Sequence, residues 1–346
     1  MPDRQVDHNG FSLSYYLSQS YLAPLKIEHF TERCVAPRWE VEGTKGLHMM
    51  ERSRPLRVVR RVRPEASVRQ YFRALDHSLI TIFRYDNEDI EKGLADMQLP
   101  AEDLAYLPSS AKNRLIAWSE TMVANAIEKS ILPTVLTALH CIDACITPGL
   151  GFERLDFEEY LGETIWPVYG LVEPAAKHRP GAIVRGASGA VSMVVLCIPP
   201  WEFGSRDFGD FVIPRNFRRG VLDKPEKPGK LWNNCDSAWV MLYEACLLTG
   251  ARHFAITTYK QWAFGTFSDS LQAAEVTSVM HHRWRTDNMT VAEIFTVWAQ
   301  CARGSRWFSL AEEPSPEECV DVERWPCRLR RTLSESSTDS SGSDLI

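Results

Sequence analysis

The sequence predicts a mixed α/β protein in which a small central mixed sheet is flanked by helices and follows a mostly helical N-terminal region. Three stretches predict it. VVLCIPP at 194 to 200 is an apolar run of strand length stopped by a double proline. WNNCDSAWVMLYEACLLTG at 232 to 250 places Cys235, Trp239, Leu242 and Cys246 at helical spacing and ends on Gly250, the residue suited to closing a helix. HFAITTYKQWAFGTFS at 253 to 268 reads as two β-rich runs around Tyr259, Lys260 and Gln261, a hairpin.

The other elements follow in chain order. Residues 1 to 110 are irregular apart from HSLITIFRY at 77 to 85, whose alternation predicts a strand. Leu115, Trp118, Met122, Ala126 and Ile127 keep a helical stripe through 110 to 147, resumed after Pro133 by Val135, Leu136 and Leu139. ITPGLG at 146 to 151 marks a junction, so residues 1–150 form a mixed, largely helical N-terminal region. Residues 151–310 form an α/β core. In it, DFEEYLGETIW at 156 to 166 reads as a helix with Phe157, Tyr160, Leu161 and Ile165 on one face. RPGAIVR at 179 to 185 reads as a short strand beside the longer one. Thr290 followed by Glu293 is a capping box opening a helix striped by Ile294, Val297, Trp298 and Cys301 and closed by Gly304. Residues 311–346 form a C-terminal extension whose Ser-rich acidic tail, 333 to 346, has too little apolar surface to order.

Composition bounds the function. The 346 residues are 45% hydrophobic and 24% charged, as in an ordinary globular protein, and a net charge of -6 argues against a dominant electrostatic grip on nucleic acid. The nine cysteines include no C-x-x-C pair, and several lie in apolar runs, which fits a reducing, intracellular setting, cytoplasmic or nuclear. The first residues lack the apolar core of a secretory signal, and no stretch is apolar enough to span a membrane. The motifs of P-loop enzymes, kinases, common hydrolases and zincins are missing.

Several residue groups have a plain structural account. His140, Cys141 and Cys145 have a spacing that could offer zinc ligands, yet core cysteines on a helix explain it better. The run RSRPLRVVRRVRP at 52 to 64 fits a phosphate-contacting or nuclear-targeting segment, or else a strand whose arginines discourage pairing, the preferred account. The eleven tryptophans sit mostly at core spacing, where packing accounts for them.

The order helix, strand, strand, helix, hairpin, helix, carried by RPGAIV at 179 to 184, VVLCIPPW at 194 to 201, residues 231 to 268 and TVAEIFTVWAQCA at 290 to 302, resembles the core of PD-(D/E)XK nuclease-like proteins. It is similar in particular to the degenerate versions found in uncharacterised proteins of mushroom-forming fungi. The likeness spans roughly 150 of the 346 residues and lies in layout, not in motif. It implies a restriction-endonuclease-like core. In active members a Pro-Asp and an (Asp/Glu)-x-Lys on successive strands supply two carboxylates for Mg²⁺ and an ammonium near the attacked phosphate.

Laid onto this chain, those positions fall on Pro180-Gly181 and on Cys197-Ile198-Pro199. Gly181 has no ligand atom, the Cys197 thiol is a poor partner for magnesium, and Pro199 carries no cation. The resemblance therefore implies a catalytically silent nuclease-like core acting as a binding or interaction module. It carries no cofactor, and its partner is a protein or a weakly held nucleic acid. Two alternatives stay open. One is a Mg²⁺-dependent nuclease whose site has moved to Glu163, Glu202 and Glu244 with Lys230 or Lys260; the other is an unrelated α/β interaction protein.

Overall fold

The computed structural model describes residues 10–20, 22, 25–27, 56–76, 81–83, 115–117, 120–146, 155–159, 166–174, 189–217, 234–282 and 289–318. The strands are β1 (Gly10–Ser12), β2 (Leu25–Ile27), β3 (Val58–Arg61), β4 (Thr81–Phe83), β5 (Leu115–Ala117), β6 (Asp156–Glu159), β7 (Val168–Pro174), β8 (Gly189–Cys197), β9 (Arg215–Asn216), β10 (His253–Thr257), β11 (Gln261–Phe267), β12 (Ala273–Val276) and β13 (Met280–His281). The helices are α1 (Leu13–Gln19), α2 (Glu65–Asp76), α3 (Glu120–Glu128), α4 (Ile131–Ile146), α5 (Ser205–Phe211), α6 (Asn234–Thr249) and α7 (Val291–Ala302).

The mixed α/β class holds, but the sheet is larger than the sequence suggests. Nine strands run in the order β6-β7-β8-β10-β11-β12-β3-β9, with β13 paired to β11. Pairing is parallel between β8 and β10 and between β12 and β3, and antiparallel elsewhere in this sheet. The crossover from β8 to β10 runs through α5 and α6.

Both faces of the sheet are covered, which explains why β8 and β10 read as unbroken apolar runs. Met193, Val195 and Cys197 of β8 point into a cluster shared with α1, α2, α3, α4 and α7. Val194, Leu196 and Ile198 point into a second cluster with α5 and α6. Successive side chains alternate faces, so a strand between two helical layers has no solvated position to give to a polar residue. The second layer centres on Trp239 of α6, which stacks on Phe211 at 4.3 Å and meets Phe254 and Phe267 edge-on.

The helix ends follow sequence chemistry. Gly250 closes α6 at φ +77°, its N–H donating to Cys246 O at 2.9 Å. Thr290 and Glu293 form the capping box of α7, with Glu293 N–H donating to Thr290 Oγ1 at 3.2 Å and Thr290 N–H to Glu293 Oε2 at 2.6 Å. Thr290 Oγ1 also donates to Leu17 O at 2.8 Å, tying α1 to α7. Gly304 follows α7 at φ +105°.

Three expectations need correction. Asp156–Glu159 is a strand, not the start of a helix: Phe157 is buried between exposed Asp156 and half-buried Glu158, and pairing with Leu171 at the sheet edge overrides the helical spacing of the apolar residues. Leu115–Ala117 is likewise a strand, paired with Leu25–Ile27, and helix begins only at Glu120. Among the described residues before 150, strands stand beside the helices α1 to α4. This segment supplies β1 to β5, and β3 enters the main sheet between β12 and β9. Pro133 sits in the first turn of α4, where its missing N–H costs nothing. The strand expected at 179 to 185 and the tail at 333 to 346 lie outside the described residues, whereas the strand expected at 77 to 85 contains β4.

Gly265 of β11 shows how tightly the layers close. A Cβ there would meet Phe254 Cζ at 2.3 Å and the Glu275 carbonyl oxygen at 2.5 Å, while Gly265 O accepts the indole N–H of Trp298 at 2.9 Å. Because one clash is with backbone, Gly265→Ala is expected to lower stability by about 1–3 kcal/mol in urea unfolding.

Candidate functional site at the end of the paired strands

The resemblance points to the carboxyl end of β8. Both edges of that strand are in use there: Cys197 N–H donates to Pro167 O at 2.9 Å, on the β7 side, and Ile198 N–H donates to Thr257 O at 2.8 Å, on the β10 side. The chain then turns at the double proline, with the Pro199 carbonyl accepting from Glu202 N–H and Phe203 N–H, both at 3.0 Å. Cys197 is 2% exposed, Ile198 and Thr257 are fully buried, and Pro199 is buried.

The site is electrically quiet. Burial pushes the Cys197 thiol well above the ordinary thiol range, and the carboxylate of Glu159 adds to the effect, so the group stays protonated. Burial likewise raises Tyr169, which lies beside Cys197 and whose hydroxyl donates to the Glu128 carboxylate. Glu128 and Glu159 are exposed at the rim of this corner. No spacing rule marks Glu128, Glu159 and Tyr169 as a group, because α3, β6 and β7 meet only in the folded chain.

Of the relocated-site candidates, Glu202, Glu244 and Lys260 are among the described residues, and they stand on separate parts of the fold. Glu202 Oε2 accepts from the indole N–H of Trp166 at 2.6 Å, and its backbone carbonyl accepts from Asn234 Nδ2 at 2.7 Å, fixing it at the first turn of α6. Glu244, 2% exposed, lies ten residues further along the same helix, an axial separation of about 15 Å at 1.5 Å per residue. No single cation bridges that gap. Lys260 occupies the β10–β11 turn, where its carbonyl accepts from His282 N–H at 3.0 Å. Gly181, Glu163 and Lys230 lie outside the described residues.

Among the described residues, no group of three or more His, Cys, Asp or Glu side chains could hold a metal ion. Cys141 is buried in the apolar cluster of α4. The arginine run has a use inside the fold. Arg60 of β3 donates to Glu318 through Nε at 3.1 Å and Nη2 at 2.5 Å, and to Glu312 O through Nη1 at 2.9 Å, pinning the segment after α7 onto the sheet. β3 lies between β12 and the two-residue β9, which pairs with Val58 and Val59.

No family model, no curated protein and no solved structure matches this chain.

The buried thiols have a measurable consequence. Cys235 and Cys301 are pushed up to about 11, chiefly by burial; Arg215 opposes the shift at Cys235, and backbone N–H groups of Phe308 and Trp307 oppose it at Cys301. The folded protein keeps protons that an unfolded chain releases above about pH 8.5, so stability is retained below that pH and falls as pH rises toward about 11. The urea midpoint is expected to drop between about pH 8 and 10, less steeply in Cys197→Ala. Native protein at pH 8 should leave Cys197 and Cys246 unalkylated by iodoacetamide, with both labelled in urea, as read by peptide mass mapping.

Proposed function

We propose that the chain carries a catalytically silent nuclease-like core that works as an interaction module inside the cell. The observation that carries this reading is the buried, uncharged end of β8, where Cys197, Ile198 and Pro199 stand in place of an acid, a spacer and a lysine.

Layout supports the nuclease-like part. Helix α4 precedes the antiparallel run β6-β7-β8; α6 then crosses over to β10, which lies parallel to β8 and leads into the β10–β11 hairpin, with α7 closing the order. The strand antiparallel to β8 at its carboxyl end is β7, which follows Pro167 and opens with Val168 opposite Leu196. Reading the Pro-Asp position onto Pro167-Val168 instead of Pro180-Gly181 places a fully buried valine where the acid belongs. Either placement leaves a divalent cation without oxygen donors from the motif.

A net charge of -6 favours a protein partner over nucleic acid. No helix among the described residues is long and apolar enough to cross a membrane, in keeping with a role away from the bilayer.

Incubation with plasmid and single-stranded DNA in Mg²⁺ or Mn²⁺ is expected to give no cleavage above a metal-free control. Metal-dependent cutting lost in Glu163→Ala or Glu202→Ala would replace the silent reading with a relocated nuclease site. Retarded DNA migration without cutting would move the partner from protein to nucleic acid.

A further inference from the structure

The segment following α7 is held by hydrogen bonds to Ser270 and to Arg60. Ser270 N–H donates to Glu313 Oε1 at 2.9 Å, with a second bond from the Ser270 hydroxyl to the same carboxylate. Further along, Arg60 grips Glu318 through two nitrogens and the Glu312 carbonyl through a third. Between these anchors lies Pro314-Ser315-Pro316, an exposed serine flanked by two prolines.

Ser315 sits in a tight turn with Glu318. Its N–H donates to Glu318 Oε2 at 2.8 Å, and Glu318 N–H donates to Ser315 Oγ at 3.3 Å and to Ser315 O at 3.1 Å. Glu318 Oε2 also accepts from Arg60 Nη2 at 2.5 Å, so Ser315 and the guanidinium share one acceptor oxygen and lie within two hydrogen-bond lengths of each other. An anion built on Ser315 Oγ would thus form beside a cation already fixed by the fold.

We propose that Ser315 is a phosphoacceptor for a proline-directed protein kinase, and that its phosphate takes Arg60 from Glu318. In the transfer, Ser315 Oγ forms a bond to the γ-phosphorus of MgATP as the bond from that phosphorus to the β,γ-bridging oxygen breaks. ADP leaves, and the hydroxyl proton passes to the kinase's general base. Pro316 supplies the residue that such kinases require after the serine, and the exposed turn supplies access.

The exchange at Arg60 follows from charge. A phosphoserine carries about -1.5 to -2 at pH 7 and three acceptor oxygens, against a single charge on the Glu318 carboxylate. It also repels that carboxylate across the turn. The other charges around the turn are Glu312, Glu313 and Glu317 on the same segment, Glu275 on β12 and, toward Glu313, Arg252; Arg60, already bonded to the Glu318 oxygen that Ser315 N–H shares, is the cation placed to answer the new charge. Glu318 is then released, together with the hold that it has on the chain leading to the acidic serine-rich tail.

The test uses the full-length protein, a proline-directed Ser/Thr kinase and MgATP, with tandem mass spectrometry to map the phosphate and Ser315→Ala as the control. Phosphate at Ser315 in the folded protein, missing in the control, is the expected result. Modification of a 309–320 peptide but not of the folded chain would overturn the proposal. The link to Arg60 is read by ³¹P NMR titration of the phosphoprotein. The second ionisation of the phosphate is expected about half a pKa unit or more lower than in Arg60→Ala, and lower than in the phosphopeptide if that variant fails to fold. Equal ionisation with and without the guanidinium would sink the exchange at Arg60.

Discussion

The parallel pairing of β8 with β10, buried on both faces, is the constraint from which the rest of the structure follows. Residues 193 to 197 face residues 253 to 257 in register, with β7 on the far side of β8 and β11 on the far side of β10. Each position from Met193 of β8 to Ile198 just beyond it must satisfy one of two apolar layers, and each is 2% exposed or less. Two helical layers are needed to cover such a sheet, and the chain supplies them from distant segments, α1 to α4 and α7 on one side, α5 and α6 on the other.

That constraint also governs the chemistry at the strand end. A carboxylate or ammonium placed at Cys197 would enter a layer already closed by Tyr169 and Ala255, and burying a charge without a partner is costly. The charged groups near the end of β8 are therefore at its margin and already engaged. Glu202 is held by Trp166 and is joined to α6 through Asn234. The Tyr169 hydroxyl donates a hydrogen bond to the Glu128 carboxylate at the rim. Among the described residues, no cluster of hard ligands forms at this strand end.

Basic residues found a structural use on the opposite half of the sheet. The valines of β3 join the sheet by pairing with β12, and Arg60 emerges beside Glu275 to collect the segment after α7. A stretch that composition alone would class as a phosphate-binding or targeting run is partly spent inside the molecule. Its guanidinium now sets the electrostatics of the Ser315 turn.

Much of the local structure was legible in the chain. The double proline ends β8, Gly250 and Gly304 close their helices, the Thr290–Glu293 pair opens α7, and the β10–β11 hairpin turns at Tyr259 in the left-handed region. These signals are read within one or two turns of backbone, where covalent geometry and capping decide the outcome. Asp156–Glu159 and Leu115–Ala117 were illegible because short apolar stretches satisfy both periodicities, and the partner strands Leu171 and Leu25 lie far away in sequence. The sequence by itself determined the apolar character of β8 and the lack of acid and lysine at Cys197 and Pro199, since side-chain chemistry needs no fold to be read. Only the tertiary structure decided which strand flanks Cys197, that Glu202 meets the start of α6 while Glu244 lies ten residues along it, and that Arg60 meets Glu318, because separations between distant segments are set by packing and not by spacing along the chain.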